Sequence, residues 1–167
     1  GNRTYVSGSK GIDVAMKSFS KTLLDEKYLE YRTIVEPAPD FSYGKIKDKS
    51  IGYIYIGDSD GNHPEQTIDE ILEVLGDLEA IIVDVRNNGG GSSNFMKPIA
   101  NAFATEDRLA YTLQERIGVN YNDFSEPFSV YTTNDGVNQY TNPVILLTDR
   151  FSVSAAEDFT LHMKIIE

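Results

Sequence analysis

The sequence predicts an α/β domain, with helices packed on a mainly parallel sheet, and three observations carry that prediction. Two short apolar runs, "AIIVDVR" (80–86) and "PVILLTD" (143–149), have the length and composition of strands buried on both faces. Segments with the i, i+3, i+4 spacing of amphipathic helices alternate with such runs. Each of the two runs ends in a loop of small residues just before a helix, which is where open α/β sheets bind ligands.

Taken in order, residues 10 to 29 read as a helix, because Ile12, Ala15, Met16, Phe19 and Leu23 fall on one face. "EPAPDF" (36–41) reads as a breaker, since Pro37 and Pro39 interrupt helix and sheet alike, and a lobe boundary is placed there. This divides the chain into a helical N-terminal segment, 1–40, and a core, 41–167. "SIGYIYIGD" (50–58) is a strand, and "DGNHP" (60–64) is a turn. "EQTIDEILEVLGDL" (65–78) is an amphipathic helix with Ile68, Ile71, Leu72 and Leu75 on one side. The strand at 80–86 is followed by the loop "NNGGGSS" (87–93) and a helix at 94–105, in which Pro98 must sit early or cause a kink. Segments 108–118 and 127–133 read as strands joined by a polar loop. The strand at 143–149 and a helix at 152–166 complete the order.

Composition limits the function. With 15 basic and 26 acidic residues the net charge is -11, which repels phosphate backbones and argues against nucleic acid as a partner. No apolar run approaches the roughly 18 residues that span a bilayer. There are no cysteines and only two histidines, His63 and His162, so disulfides, thiolate chemistry and a structural zinc site are disfavoured, and no metal or other cofactor is implied. No signal peptide is visible, and Gly1 reads as a tag remnant, which leaves room for a native signal.

Two segments have the residue types for chemistry. In "DVRNNGGGSS" (84–93), consecutive glycines free the backbone to adopt positive φ and to present amides at a helix start. The segment reads as a tight turn, a phosphate loop or an oxyanion site, and the phosphate reading lacks the Gly-Lys-Ser/Thr ending of a nucleotide loop. In "FSVSAAED" (151–158), Ser154 and Glu157 form the S-x-x-E pattern of a capping box, so Ser154 reads either as a cap or as a nucleophile. The small Ala155 and Ala156 leave room for a substrate, and the Ala155 amide is placed to meet a developing oxyanion. Ser152 is a rival nucleophile. His162 and Lys164 lie roughly 12 Å and 15 Å from Ser154 along one helix, too far to act as its base. His162 is expected on the helix surface or partly buried, and His63 is a weak candidate base in a turn.

Together these residues resemble the C-terminal processing peptidase and tricorn-protease family of serine peptidases. "IGYIYI" (51–56) looks like the strand that opens its core. "AIIVDVRNNGGG" (80–91) is similar to its strand and D-x-R-x-N-x-G-G loop, and "NPVILLTDRFSVSAAEDF" (142–159) to its strand and S-x-S-A-x-E elbow. The resemblance implies a crotonase/Clp-protease-like superhelix core behind a short helical N-terminal lobe. It also implies peptide-bond hydrolysis through an acyl-enzyme on Ser154. The amides of Gly90 (or Gly91) and Ala155 would form the oxyanion hole, with Arg86, Asn88 and Glu157 in support.

The substrate implied is a peptide or unfolded protein in an extracytoplasmic setting, and an oligomer is compatible with the sequence. The family's downstream lysine or glutamate has no counterpart here, and no PDZ-like domain is seen. The chain reads as truncated in mid-helix, and little or no proteolysis is expected of it as it stands. A non-catalytic peptide- or ligand-binding relative is the alternative function, and an acyl-CoA enzyme of the crotonase type is a third.

Overall fold

The computed structural model describes residues 20–36, 38–134 and 138–166. Among them, helix α1 (Lys21–Lys27) starts where the Ser20 hydroxyl accepts a hydrogen bond from the Leu23 amide at 3.2 Å. The single helix expected over 10 to 29 is not formed, because Ser20 is extended (φ -121°, ψ 107°) and begins a new helix; residues 10–19 lie outside the described residues. The chain then leaves the helix earlier than expected and enters strand β1 (Leu29–Val35), which hairpins into β2 (Ala38–Ile46). Strand β2 therefore runs across position 40, where the sequence placed the division between segments. Pro39 is tolerated because it falls at a register shift: β1 skips from Ser42 to Ala38, and pairing with the next strand begins only at Phe41.

Strand β3 (Ile51–Ile56) pairs antiparallel with β2 and parallel with β4 (Ala80–Asp84), and helix α2 (Pro64–Leu75) makes the crossover between the two parallel strands. After α3 (Ser93–Asn101) comes a separate two-stranded antiparallel ribbon, β5 (Arg108–Leu113) and β6 (Phe128–Thr132). Strand β7 (Val144–Leu147) then pairs parallel with β4, and α4 (Ala155–Lys164) follows. The sheet order is β1-β2-β3-β4-β7. The fold is thus α/β around a mixed sheet, half antiparallel in its pairings, rather than a mainly parallel one.

The core lies between one face of the sheet and helices α2, α3 and α4. Ile54, Ile56, Ile81 and Val83 meet Ile71 and Leu75 of α2, Phe95 and Ile99 of α3, and Phe159 of α4. Burial of each such side chain is worth about 1.5–3 kcal/mol. The alternate residues of β3, Tyr53 and Tyr55, form a second buried cluster on the opposite face with Leu29 and Leu24. Strand β3 is therefore apolar on both sides. Strand β7 is not: it pairs only with β4, and Ile145 is 55% exposed. The expectation of a second fully buried strand fails because β7 is the sheet edge among the described residues. Pro98 is the sixth residue of α3, inside the helix rather than at its start.

Candidate active site

Because β4 and β7 are parallel neighbours in register from Ile81↔Val144 to Asp84↔Leu147, the loops that follow them emerge side by side. The glycine loop and the Ser154 corner, predicted at two strand ends, meet there. A β-carbon on Gly90 would lie 2.8 Å from Ser154 Cβ and 2.8 Å from the Val153 carbonyl oxygen, and Gly90 has φ 96°. No other residue fits that approach without displacing the corner. On the far side of the loop, Gly91 (φ 142°) lies as close to Ser59 and Asp60, and Ser59 and Gly91 form a parallel bridge.

Ser154 is exposed and has φ 56°, ψ -116°, a combination rare for a residue with a side chain and costing about 1–3 kcal/mol. Ser154 and Glu157 are arranged as a capping box, each side chain facing the other's amide, but the hydrogen bonds are unequal. The Ser154 amide donates to Glu157 Oε2 at 2.8 Å, while the Ser154 hydroxyl makes no cap hydrogen bond and the Glu157 amide donates instead to the Ser154 carbonyl at 2.9 Å. Ser154 therefore starts the helix through its backbone and leaves its oxygen uncommitted. Such a strained strand-to-helix corner is the geometry that raises a nucleophilic serine in the α/β-hydrolases. The acidic residues Glu157 and Asp158 in the first turn also complement the helix dipole.

Buried hydrogen bonds between three strand ends hold this corner. Asn88 is fully buried. Its Nδ2 donates to the Ile56 carbonyl at 3.0 Å, and its Oδ1 accepts from Ser59 Oγ at 3.0 Å and from the Gly90 amide at 2.9 Å. Its carbonyl accepts from the Val153 amide at 3.0 Å. Asp149 Oδ1 accepts from the amides of Asn87 and Phe151 at 3.1 and 2.9 Å. Ser152, the rival nucleophile, donates its hydroxyl to the Val85 carbonyl at 2.8 Å and accepts from the Asp149 amide at 3.0 Å. That hydroxyl is committed to joining the two loops.

Arg86 acts at the root of the glycine loop rather than at its tip. Its guanidinium contacts both oxygens of Asp84, which is completely buried at the end of β4. Tyr53 adds a second donor to the pair, its hydroxyl bonding Asp84 Oδ2. Burial first, and then the Asp84 carboxylate, push the Tyr53 hydroxyl well above the ordinary tyrosine range, so it stays a donor. Hydrogen bonding to Asp84 raises Arg86 further despite partial burial. Tyr55 is pushed up to about 12, by burial and then by Asp40 and Asp84.

The three amides expected at an oxyanion hole differ in what they bond. The Gly90 amide is occupied by Asn88, whereas those of Gly91 and Ala155 donate to nothing among the described residues. The candidate base is not brought in. His63 is the exposed, left-handed residue (φ 55°) that precedes α2, and no described hydrogen bond or ion pair joins it to Ser154. His162, expected at or near the surface, is 1% exposed. It is hydrogen-bonded to Thr132 Oγ1 at 2.7 Å and stacked edge-on to Tyr111, because α4 packs that side against the β5–β6 ribbon. No His/Asp/Glu cluster suited to a metal ion occurs among the described residues, and no helix there is long and apolar enough to cross a membrane.

Sequence reasoning missed Asp84, Tyr53, Ser59 and Asp149. Asp84 had a readable signal, a carboxylate ending an apolar strand with an arginine two residues on, the strand spacing that puts both on one face. Tyr53 and Ser59 had none, since their partners are distant in sequence, and the local turn of Asp149 to Phe151 gives no sign of its bond to Asn87. A larger groove of about 590 Å³ runs along β7 and α4, but neither Ser154 nor the glycine loop lines it.

Comparison with known proteins identifies the family. Residues 50–166 match the model of peptidase family S41. The chain is 29% identical over 161 residues to the carboxy-terminal processing protease CtpB of Bacillus subtilis, covering 91% of this chain and 30% of that protein. It is 26% identical over 174 residues to the tail-specific protease of Haemophilus influenzae, covering 95% of this chain and 22% of that protein. It therefore spans under a third of the length of either relative. Among solved structures, a presumed peptidase from Parabacteroides merdae is 34% identical with a TM-score of 0.76, covering 89% of this chain and 46% of that one. The match over most of the chain, together with the paired strand-end loops, shows that this protein belongs to peptidase family S41.

Proposed function

We propose that the chain carries the nucleophile and oxyanion hole of a serine-type peptidase that hydrolyses peptide bonds in peptides or unfolded proteins. The observation that carries this reading is Ser154: an exposed hydroxyl, left out of its own helix cap, on a strained corner against Gly90. In the reaction Ser154 Oγ bonds to the scissile carbonyl carbon and its proton passes to a base. Negative charge moves to the carbonyl oxygen, where the Ala155 and Gly91 amides are the unoccupied donors. Gly90, its amide held by Asn88, shapes the loop. The C–N bond then breaks, the amine leaves with a proton, and water hydrolyses the Ser154 ester.

The base is the missing part. No imidazole or ammonium contacts Ser154 among the described residues, and His63 remains a weak candidate in its turn. This chain by itself is therefore expected to turn over unfolded casein slowly or not at all, since only the contribution of binding and the oxyanion hole survives loss of a base. Robust turnover abolished by Ser154→Ala would refute the missing base. The same feature favours a second reading, a non-catalytic relative that binds peptides in this cleft. A fluorophosphonate probe applied to the full-length protein separates the two: labelling at Ser154, lost in Ser154→Ala, supports the peptidase, and silence supports the binder. An extracytoplasmic setting belongs to the same proposal and is checked by fractionating cells that express the native protein.

A further inference from the structure

We propose that the pocket beside Asp60 is a substrate subsite that takes a basic side chain, lysine above all, within three residues of the bond cut at Ser154. The inference rests on the peptidase reading and adds the class of substrate. The pocket is small, about 100 Å³. Its floor is the buried pair Phe41 and Phe95, packed edge-to-face at 6.1 Å, with Val35 on one wall. Glu36 and Asp60 line it as well, both exposed, and neither enters an ion pair among the described residues. A lysine side chain matches this combination, an apolar stem against the rings with an ammonium left at the carboxylates. A volume of about 100 Å³ accommodates a narrow alkyl chain.

Position ties the pocket to the candidate site. The glycine loop lies between Ser154 and Asp60: Gly90 abuts Ser154, and a β-carbon on Gly91 would lie 2.8 Å from Asp60 Oδ1. With successive Cα atoms about 3.8 Å apart, Ser154 Cβ and the Asp60 carboxylate are separated by at most about 12 Å. An extended peptide rises about 3.3 Å per residue, so a residue within three positions of the scissile bond reaches the pocket. The overall negative charge draws basic peptides toward the protein, but it does so without regard to position.

The test is binding of a short peptide series to the Ser154→Ala protein, which requires no turnover. Lysine, norleucine or glutamate is placed in turn at each of the three positions on either side of the scissile bond. At one position lysine is expected to bind about fivefold more tightly than norleucine, the scale of two exposed carboxylates acting on one ammonium. Asp60→Asn should cut that preference to about twofold while leaving norleucine binding unchanged. Glu36→Gln should act in the same direction and replaces Asp60→Asn if that variant fails to fold. Glu73→Gln, which removes one exposed charge from α2, should leave the preference intact. The proposal is overturned if no position prefers lysine, if the preference survives Asp60→Asn and Glu36→Gln, if Glu73→Gln erodes it equally, or if no peptide binds. Fluorophosphonate labelling of Ser154 without a lysine preference removes the subsite alone. A lysine preference without labelling of the full-length protein removes the nucleophile alone.

Discussion

Ser154 and the glycines beside it show how single residues are constrained by what surrounds them. Three glycines in a row look equivalent in sequence, yet they are not. Gly89 is exposed and a β-carbon there would meet nothing within 4 Å, whereas Gly90 has positive φ and abuts Ser154. Gly89→Ala is therefore expected to change stability by less than about 0.5 kcal/mol and to leave probe labelling intact. Gly90→Ala should cost about 1–3 kcal/mol and abolish labelling, because the corner must move. Urea denaturation and labelling rate report the two effects separately. Asn88 is the other residue with no substitute, as its side chain satisfies partners from two loops and a strand end at once. Each partner orphaned by Asn88→Ala adds about 1–3 kcal/mol of destabilisation.

At the scale of elements, α4 is held at both ends by different chemistry. Its start is tied to the glycine loop, and its last turn carries His162 into the contact with β6 through Thr132. Burial depresses the imidazole below its ordinary 6.5, with Asp158 opposing and Lys97 adding to the depression. The folded state thus holds His162 neutral where the unfolded chain takes up a proton. Stability from this group is present above about pH 6.5 and is lost as pH falls toward the folded pKa. The melting temperature should fall between about pH 7.5 and about pH 5.5, and His162→Asn should flatten that slope while lowering the plateau. An unchanged slope would mean that another group dominates acid sensitivity.

The whole molecule sets how much each strand matters. Strand β3 sits near the middle of the sheet with apolar clusters on both faces, and β7 is at the edge with one flank unpaired among the described residues. Chemically identical truncations should then differ. Ile54→Ala, at a site with no exposure, should cost about 2–5 kcal/mol, and Ile145→Ala, more than half exposed, less than about 1 kcal/mol. Denaturant midpoints of the two variants decide this. The edge position also explains why the run at 143–149 misled: an apolar composition suits a strand with neighbours on both sides, and the number of neighbours is not written in the run itself.

What the sequence by itself determined was local and periodic. The spacing of Ile68, Ile71, Leu72 and Leu75 marked a helix, the apolar runs marked β4 and β7, and the small-residue loops marked the two corners that meet. These features depend on residues a few positions apart, so short-range sterics and burial patterns suffice to read them. Only the tertiary structure decided that the Gly90 amide is occupied while those of Gly91 and Ala155 are open, that Ser152 is committed to Val85, and that His162 is buried. It also ran strand β2 across position 40, beside β3. Most of these rest on how the fold places one group against another distant in sequence, such as the Ser152–Val85 pair 67 residues apart, and no spacing rule reads out such contacts.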